Sequence, residues 1–244
     1  MDAGRWAGLV LLCVLVAGAA ACGRGVEERI EALYRQEHEG TLDPGTLRRA
    51  LRDESPRVRI AAIAMAGRQG AEDLLPDIVA LAGDGDPGVR ATVAATLGEF
   101  RGAEAVATLV RLLGDGVSLV RRRAVESLAR LRAREAVPAL VEHLRGDPEP
   151  SVRQAAARAL AEIGAREAVP ALVEALGDED TQVRAWAAQA LGRIGDPAAI
   201  PALEQMARDE NAYARGAARH ALEVIRERLA RDEEGTVAGD GKHP

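Results

Sequence analysis

The chain has 244 residues, of which 48% are apolar and only 2% are aromatic. A core with so few aromatic side chains consists mainly of Ala, Leu, Val and Ile, which favours closely packed helices over a β-sandwich. Asp and Glu total 38 against 32 Lys and Arg, so the net charge is −6. This balance argues against a general nucleic-acid binder and against a polybasic protein of membrane surfaces. The charged fraction of 29%, together with the apolar content, excludes wholesale disorder.

Residues 1–21 have the pattern of a secretory signal. An uncharged apolar run of 15 residues, 7–21, follows Arg5, and it is shorter than the roughly 20 residues of a membrane-spanning helix. The three alanines directly before Cys22 resemble the bacterial lipobox, although Ala19 stands where leucine is usual. We therefore expect cleavage before Cys22, lipidation of that cysteine and attachment to a membrane of the cell envelope. Cleavage by ordinary signal peptidase, giving a soluble secreted or periplasmic protein, and an uncleaved or cytosolic chain are the alternatives.

A repeat of 31 or 32 residues organises the rest of the chain. Each copy is marked by an arginine, preceded by valine in the first five copies and by alanine in the sixth, with an aspartate six residues before it. Ten residues, AREAVPALVE, even occur twice, at 133–142 and 165–174. Repetition on this scale indicates a stack of similar structural units. The aspartate and arginine of successive copies are Asp53 and Arg59, Asp84 and Arg90, Asp115 and Arg121, Asp147 and Arg153, Asp178 and Arg184, and Asp209 and Arg215.

The apolar spacing within each copy is helical. In the fifth copy it predicts a first helix, A, over 167–177 and a second helix, B, from Thr181 to Ile194, with Gly195 as its C-cap. Each copy should therefore consist of helix A, a tight turn and helix B. Around the array we expect a linker and cap helix in 22–42, with the helix at 26–38. The helix pairs should fill 43–230, and a disordered tail should occupy 231–244.

This pattern resembles the HEAT repeat in its short bacterial form, which is also found in phycobilisome lyases. The resemblance implies an all-α, right-handed α-solenoid of about six stacked helix pairs. It also implies a hydrogen-bonded ladder between the turn aspartates and helix-B arginines of neighbouring repeats, from Asp53 and Arg59 to Asp178 and Arg184. The family favours a proline inside helix A, and Ala107 departs from that pattern. The prolines that follow it are Pro76, Pro138, Pro170 and Pro201.

The sequence shows no catalytic constellation. Phosphate-binding loops, zinc-protease helices and nucleophile elbows are missing, and the chain has only four histidines. Some HEAT-like proteins are di-iron hydroxylases with four His-Glu pairs, whereas this chain has one, His38-Glu39. We therefore expect no cofactor, no metal and no enzymatic activity. A lyase-like or metal-dependent HEAT-like enzyme, or a purely architectural subunit of an envelope complex, is the alternative.

Function should lie where the repeats differ. Relative to each helix-B arginine, positions −2, +2, +5 and +9 share one helical face, called here the helix-B face, which lines the concave side of HEAT stacks. Two aromatic residues, Trp186 and Tyr213, lie on this face in adjacent repeats. Trp and Tyr are residue types enriched at binding hot spots. We expect this face to bind a protein or peptide, although Trp186 and Tyr213 could instead serve only packing. The candidate residues are Arg123, Glu126, Arg130, Arg158, Glu162, Trp186, Gln189, Arg193, Tyr213 and His220.

Overall fold

The computed structural model describes residues 25–240, with side chains through residue 232. The predicted signal segment, the Cys22 lipidation site and the last four residues of the predicted tail lie outside this range. Between residues 25 and 240 the chain forms α-helices and short 3-10 turns, which confirms the expected all-α solenoid of helix pairs. The chain divides between Thr96 and Leu97 into two compact units.

In its described residues, 25–96, the first unit contains a leading helix and two helix pairs. Helix α1 covers the predicted cap helix, and α2–α3 and α4–α5 are the first two A–B pairs. The cap helix is tied to the first pair by its Arg29, whose Nε lies 3.0 Å from a carboxylate oxygen of Asp53. The helices are α1 (25–39), α2 (Pro44–Ala50), α3 (Pro56–Gln69), α4 (Leu75–Ala80) and α5 (Pro87–Leu97).

Between residues 97 and 240 the second unit contains four helix pairs, in which the even-numbered helices are A and the odd-numbered helices are B. Each helix A packs on its own helix B, and successive B helices pack on one another from α7 to α13. The helices are α6 (Ala103–Leu112), α7 (Ser118–Leu131), α8 (Val137–Gly146), α9 (Pro150–Ile163), α10 (Val169–Ala175), α11 (Thr181–Ile194), α12 (Ile200–Met206) and α13 (Ala212–Asp240).

Helix A is shorter than the apolar pattern predicted. In the fifth repeat the expected helix 167–177 is a 3-10 turn, Arg166–Ala168, followed by α10 from Val169 to Ala175. The family proline lies in the first turn of the α-helical part, where its missing N–H has no intrahelical partner to lose. The same division occurs in α4, α8 and α12. In α6, where Ala107 replaces the proline, the helix is continuous from Ala103 to Leu112.

Helix B ends where a residue adopts the left-handed conformation. Gly195 has φ of 77° and donates its N–H to Leu191, so the predicted C-cap of α11 is confirmed. Gly70 and Gly164 end α3 and α9 in the same way, with φ of 59° and 72°. In the third repeat the residue in this place is Arg132, with φ of 52°. A side chain with a Cβ is strained there, because the left-handed region brings Cβ close to the backbone carbonyl.

The Asp–Arg ladder joins neighbouring repeats on the side of the turns. Each helix-B arginine donates to the backbone carbonyl of its own repeat's aspartate. Within a unit, an arginine that is followed by a further repeat also reaches the carboxylate of that repeat's aspartate. Each aspartate accepts in addition a backbone N–H two residues later, which fixes the turn before helix B. The shortest contacts between repeats are Arg59–Asp84 at 2.8 Å, Arg121–Asp147 at 2.7 Å, Arg153–Asp178 at 2.9 Å and Arg184–Asp209 at 3.1 Å.

Asp147 is the most buried carboxylate of the ladder, with 1% of its side chain exposed. Arg121 binds it through two hydrogen bonds of 2.8 and 2.7 Å, and Nδ1 of His143 lies 2.9 Å from it. Burial alone would raise the pKa of the Asp147 carboxyl. The hydrogen bonds from Arg121, the Glu149 backbone and His143 outweigh burial, so the pKa falls from 3.8 to about 2. The ladder therefore holds this carboxylate in its charged form.

The last helix is longer than the sequence suggested. Helix α13 extends to Asp240, whereas we expected the helical array to end at residue 230 and a disordered tail to follow. The segment 226–234, RERLARDEE, consists mostly of strong helix formers, which accounts for the extension past residue 230. Among the described residues, no helix is long and apolar enough to cross a membrane.

Candidate functional site

A groove of about 640 Å³ opens on the helix-B face of the last repeats. It is lined by side chains of α9, α11 and α13, which are successive B helices of the second unit. Six of the ten candidate residues line this one groove. They are Arg158, Trp186, Gln189, Arg193, Tyr213 and His220.

Small residues let α11 and α13 approach closely beside the groove. A Cβ added at Gly192 would lie 2.9 Å from Cα of Ala221, so a larger residue would force the helices apart. Ala190, Gly216 and Ala217 also line the groove, and none of them projects a long side chain into it. The volume between the large side chains therefore stays open.

The two aromatic residues differ in exposure. Tyr213 is 50% exposed at the start of α13. Trp186 is half-buried and lines both this groove and a smaller cavity of about 160 Å³, which is also lined by Glu126 and Arg158. An exposed tyrosine and a half-buried tryptophan offer apolar area together with polar O–H and N–H groups, a combination suited to binding another chain.

Among the residues that the structure describes, three arginines and no carboxylate residue line the groove. The Arg158 Nε donates to Glu162 at 2.9 Å. The Arg228 Nη1 donates to the backbone carbonyl of Arg193 at 2.9 Å, and the Arg228 side chain crosses Gly195, where a Cβ would collide with it. Within residues 25–232, no carboxylate lies within 4.0 Å of the guanidinium of Arg193 or Arg228. The groove is therefore a positively charged surface on a chain of negative net charge.

The other four candidate residues do not line the groove, and each takes part in an ion pair. Arg123 Nη1 lies 3.0 Å from Glu126, and Arg130 Nη1 lies 3.0 Å from Glu99. Glu162 binds Arg158, and Glu126 reaches only the smaller cavity. The structure thus brings together the candidates of the fifth and sixth repeats with Arg158, and leaves those of the third repeat apart.

Sequence reasoning missed Arg228. The repeat positions used to define the helix-B face end at +9, which is Val224 in the sixth repeat. Arg228 lies one helical turn further along α13 and lines the same groove. Continuing the face by four residues in the long last helix would have found it.

Metal ligands are not clustered in the described part of the chain. Among those residues, no group of three or more His, Cys, Asp or Glu side chains is arranged to hold a metal ion. His38 and Glu39, the single His-Glu pair, lie at the end of α1, and His143 belongs to the Asp147 cluster of the ladder.

Three overlapping segments of the chain, 44–129, 78–155 and 137–223, match the family model of HEAT repeats. A search of curated proteins returned no significant match. The solved structures similar to this chain include Escherichia coli YibA, at 24% identity over 82% of this chain and 78% of that one, with a TM-score of 0.58. The complex of CpcE and CpcF of phycocyanin lyase from Nostoc sp. PCC7120 matches at 24% identity over 75% and 77%, with a TM-score of 0.56.

Computationally designed armadillo repeat proteins for modular peptide recognition match at 20% identity over 75% of this chain and 100% of theirs, with a TM-score of 0.54. At such identities these similarities show a common fold of stacked helices. The family match is independent of them and covers most of the chain. With HEAT repeats recognised across residues 44–223, the chain belongs to the HEAT-repeat family.

Proposed function

We propose that this protein is a non-enzymatic interaction scaffold that binds a protein or peptide in the groove between α9, α11 and α13. The observation that carries the proposal is the placement of Trp186 and Tyr213 in one groove with three arginines. Trp, Tyr and Arg are the residue types most enriched at binding hot spots, where they fill well-packed central positions. HEAT and armadillo repeats generally bind protein or peptide partners, which agrees with this use of the fold.

Affinity capture from gently solubilised cells tests the groove. The Trp186→Ala/Tyr213→Ala variant should lose a protein that the wild type recovers, because truncation removes the apolar area that anchors the partner. Tyr34→Ala is the matched control, since Tyr34 is 51% exposed on α1, almost the same as Tyr213. Equal recovery by all three proteins would place the interface outside the groove.

Folding must be separated from binding in that experiment. Trp186 is half-buried, so its truncation could lower stability as well as affinity. Circular dichroism of each variant identifies those that keep the helical fold. Tyr213→Ala/His220→Ala changes only exposed side chains and should by itself weaken capture.

We further propose that the protein is exported to the bacterial cell envelope and tethered by lipid at Cys22. The apolar run at 7–21 and the small residues before Cys22 support this proposal. Cys22→Ser should move the protein from the membrane fraction to the soluble fraction, because the lipid attachment point is lost. Unchanged partitioning of the variant would contradict the lipid anchor, and a wild-type protein in the soluble exported fraction would favour cleavage by ordinary signal peptidase.

A further inference from the structure

Along the chain, the charge at one position of the helix-B face alternates between negative and positive. Position +9 is glutamate in one repeat and arginine in the next, and the cap helix supplies the first glutamate. Where the pairs form, the glutamate of one repeat binds the arginine 31 residues later. The alternating residues are Glu37, Arg68, Glu99, Arg130, Glu162 and Arg193.

Two of these three pairs are closed in the structure. In the first unit, Arg68 binds Glu37 with three hydrogen bonds of 2.8 to 3.1 Å. In the second unit, Arg130 binds Glu99 at 3.0 Å. Both arginines therefore have their charge compensated within the chain, and neither is available as a strong site for an external carboxylate.

The third pair is open. Glu162 and Arg193 have the same separation of 31 residues, but the carboxylate of Glu162 binds Arg158 one helical turn earlier, at 2.9 Å. Arg193 is left without a carboxylate within 4.0 Å among residues 25–232. Its exposed side chain lines the groove, and its backbone carbonyl holds the Arg228 guanidinium at 2.9 Å. Two uncompensated guanidinium groups thus line the groove at the position where the Glu–Arg pairing fails.

We propose that the groove binds an acidic segment of another protein, with carboxylates on Arg193 and Arg228 and an apolar side chain against Trp186 and Tyr213. This inference rests on the function proposed above and adds the chemistry of the partner. A guanidinium presents a planar fork that binds carboxylates in pairs of hydrogen bonds. The described residues that line the groove include no carboxylate, so an acidic partner would not meet there the repulsion expected on most of this negatively charged chain.

A displayed library of short random peptides, selected against the full chain in mild detergent, tests this specificity. The selected peptides should be enriched in Asp and Glu and should also carry an apolar or aromatic residue. Trp186 is the only tryptophan after cleavage before Cys22, and replacing Trp6 with Phe makes it so in an uncleaved chain as well, so its fluorescence reports binding beside Trp186. Arg193→Glu/Arg228→Glu should weaken the acidic peptides by about tenfold or more and should favour basic peptides in a new selection.

The matched control is Arg166→Glu/Arg219→Glu. It makes the same change in net charge at two exposed arginines that do not line the groove, and it should leave the selected peptides bound as before. A general electrostatic effect would weaken binding equally in both double variants and would overturn the inference.

The remaining outcomes separate the two proposals. Peptides that quench or enhance Trp186 fluorescence but are neutral or basic would overturn the acidic specificity and keep the groove as a binding site. A library that yields no peptide binding better to the wild type than to Trp186→Ala/Tyr213→Ala would overturn both. Self-association of the wild type that is abolished by Arg193→Glu/Arg228→Glu would assign the groove to a second copy of this chain instead.

Discussion

The Asp–Arg ladder and the groove both use arginines of the B helices, and they differ in whether those arginines find carboxylates within the chain. Arg153 of the ladder binds both oxygens of Asp178, each at 2.9 Å, and also its own repeat's turn carbonyl. Arg193 of the groove has no such partner among the described residues. A contact that recurs from repeat to repeat holds the repeats together, whereas a position where the recurrence fails is available for a partner.

The two regions should therefore respond differently to mutation. Ladder residues are buried and hydrogen-bonded on several sides, so their removal should lower the free energy of unfolding. The exposed groove residues Arg193, Tyr213 and His220 make no such contacts, so their removal should change binding and leave stability almost unaltered. The predictions below test this difference.

The largest effect is expected at Asp147. Asp147→Ala removes the partner of the buried Arg121 guanidinium and of His143, and leaves a buried cation without compensation. Breaking a buried pair in this way costs about 3–5 kcal/mol. Urea unfolding followed by circular dichroism should show the corresponding decrease in the free energy of unfolding.

The matched control is Glu174→Ala, which removes one partner of an exposed pair. Arg145 and Glu174 lie 2.8 Å apart, but both side chains are solvated. The loss should be far smaller than that of Asp147→Ala, because a solvated ion pair contributes little to stability. If Asp147→Ala and Glu174→Ala destabilised the protein equally, the ladder would not be the stabilising feature inferred here.

The pKa of Asp147 predicts how the ladder responds to acid. Because the folded protein lowers this pKa from 3.8 to about 2, the resulting stabilisation is complete above pH 3.8 and is lost as the pH falls through 2. The shift corresponds to about 2 kcal/mol. The difference in unfolding free energy between the wild type and Asp147→Asn should be constant from pH 7 to 5 and should shrink by about that amount at pH 2. A difference independent of pH would show that Asp147 is not charged in the folded protein.

The helix pairs could be predicted from the sequence because their signals are local and repeated, whereas the ladder contacts between repeats were expected from the resemblance to the HEAT repeat. The glycine after α11, the turn aspartate and the helix-B arginine each act within a few residues, so six copies of the pattern reinforce one another. The length of α13 was not predicted correctly, because its last part contains both helix formers and glycines. The glycines after residue 234 outweighed the helix formers before them in the sequence interpretation, although those helix formers favour continuation.

The groove could be predicted only in part. The face that carries Trp186 and Tyr213 follows from helical geometry, but the state of Arg193 depends on a competition. Glu162 can pair with Arg158 one turn away or with Arg193 in the next repeat, and spacing does not decide between them. The packing of Gly192 on Ala221, which sets the approach of α11 and α13, also depends on three-dimensional contact.

The competition of Arg158 and Arg193 for Glu162 leads to a prediction with a smaller expected effect. Arg158→Gln frees Glu162, which should then bind Arg193 and close the third pair as Glu99 closes on Arg130. Acidic peptides should bind a few-fold more weakly, about 1 kcal/mol, measured by Trp186 fluorescence. Adding Glu162→Gln to this variant should restore their affinity, because no carboxylate then competes for Arg193. Without that restoration, the weaker binding would have to come from a direct contact of Arg158.

The smallest effect is expected at Arg132, which departs from the repeat pattern outside the groove. Arg132 adopts the left-handed conformation at the end of α7, where Gly164 and Gly195 occupy the corresponding places in later repeats. Arg132→Gly should raise the free energy of unfolding by up to about 1 kcal/mol, because the relief of strain exceeds the added entropy of the unfolded chain. Gly164→Ala, the reverse test, should lower it by about 1 kcal/mol.

Peptide binding should stay unchanged in Arg132→Gly, because Arg132 does not line the groove. Stabilisation without a change in binding would show that a break in the repeat is not in itself a sign of a site. The uncompensated guanidinium groups beside Trp186 and Tyr213 would then be what distinguishes the groove from a merely irregular turn. Weaker binding in Arg132→Gly would instead extend the interaction surface to the third repeat, where Arg123 and Arg130 were also predicted to take part.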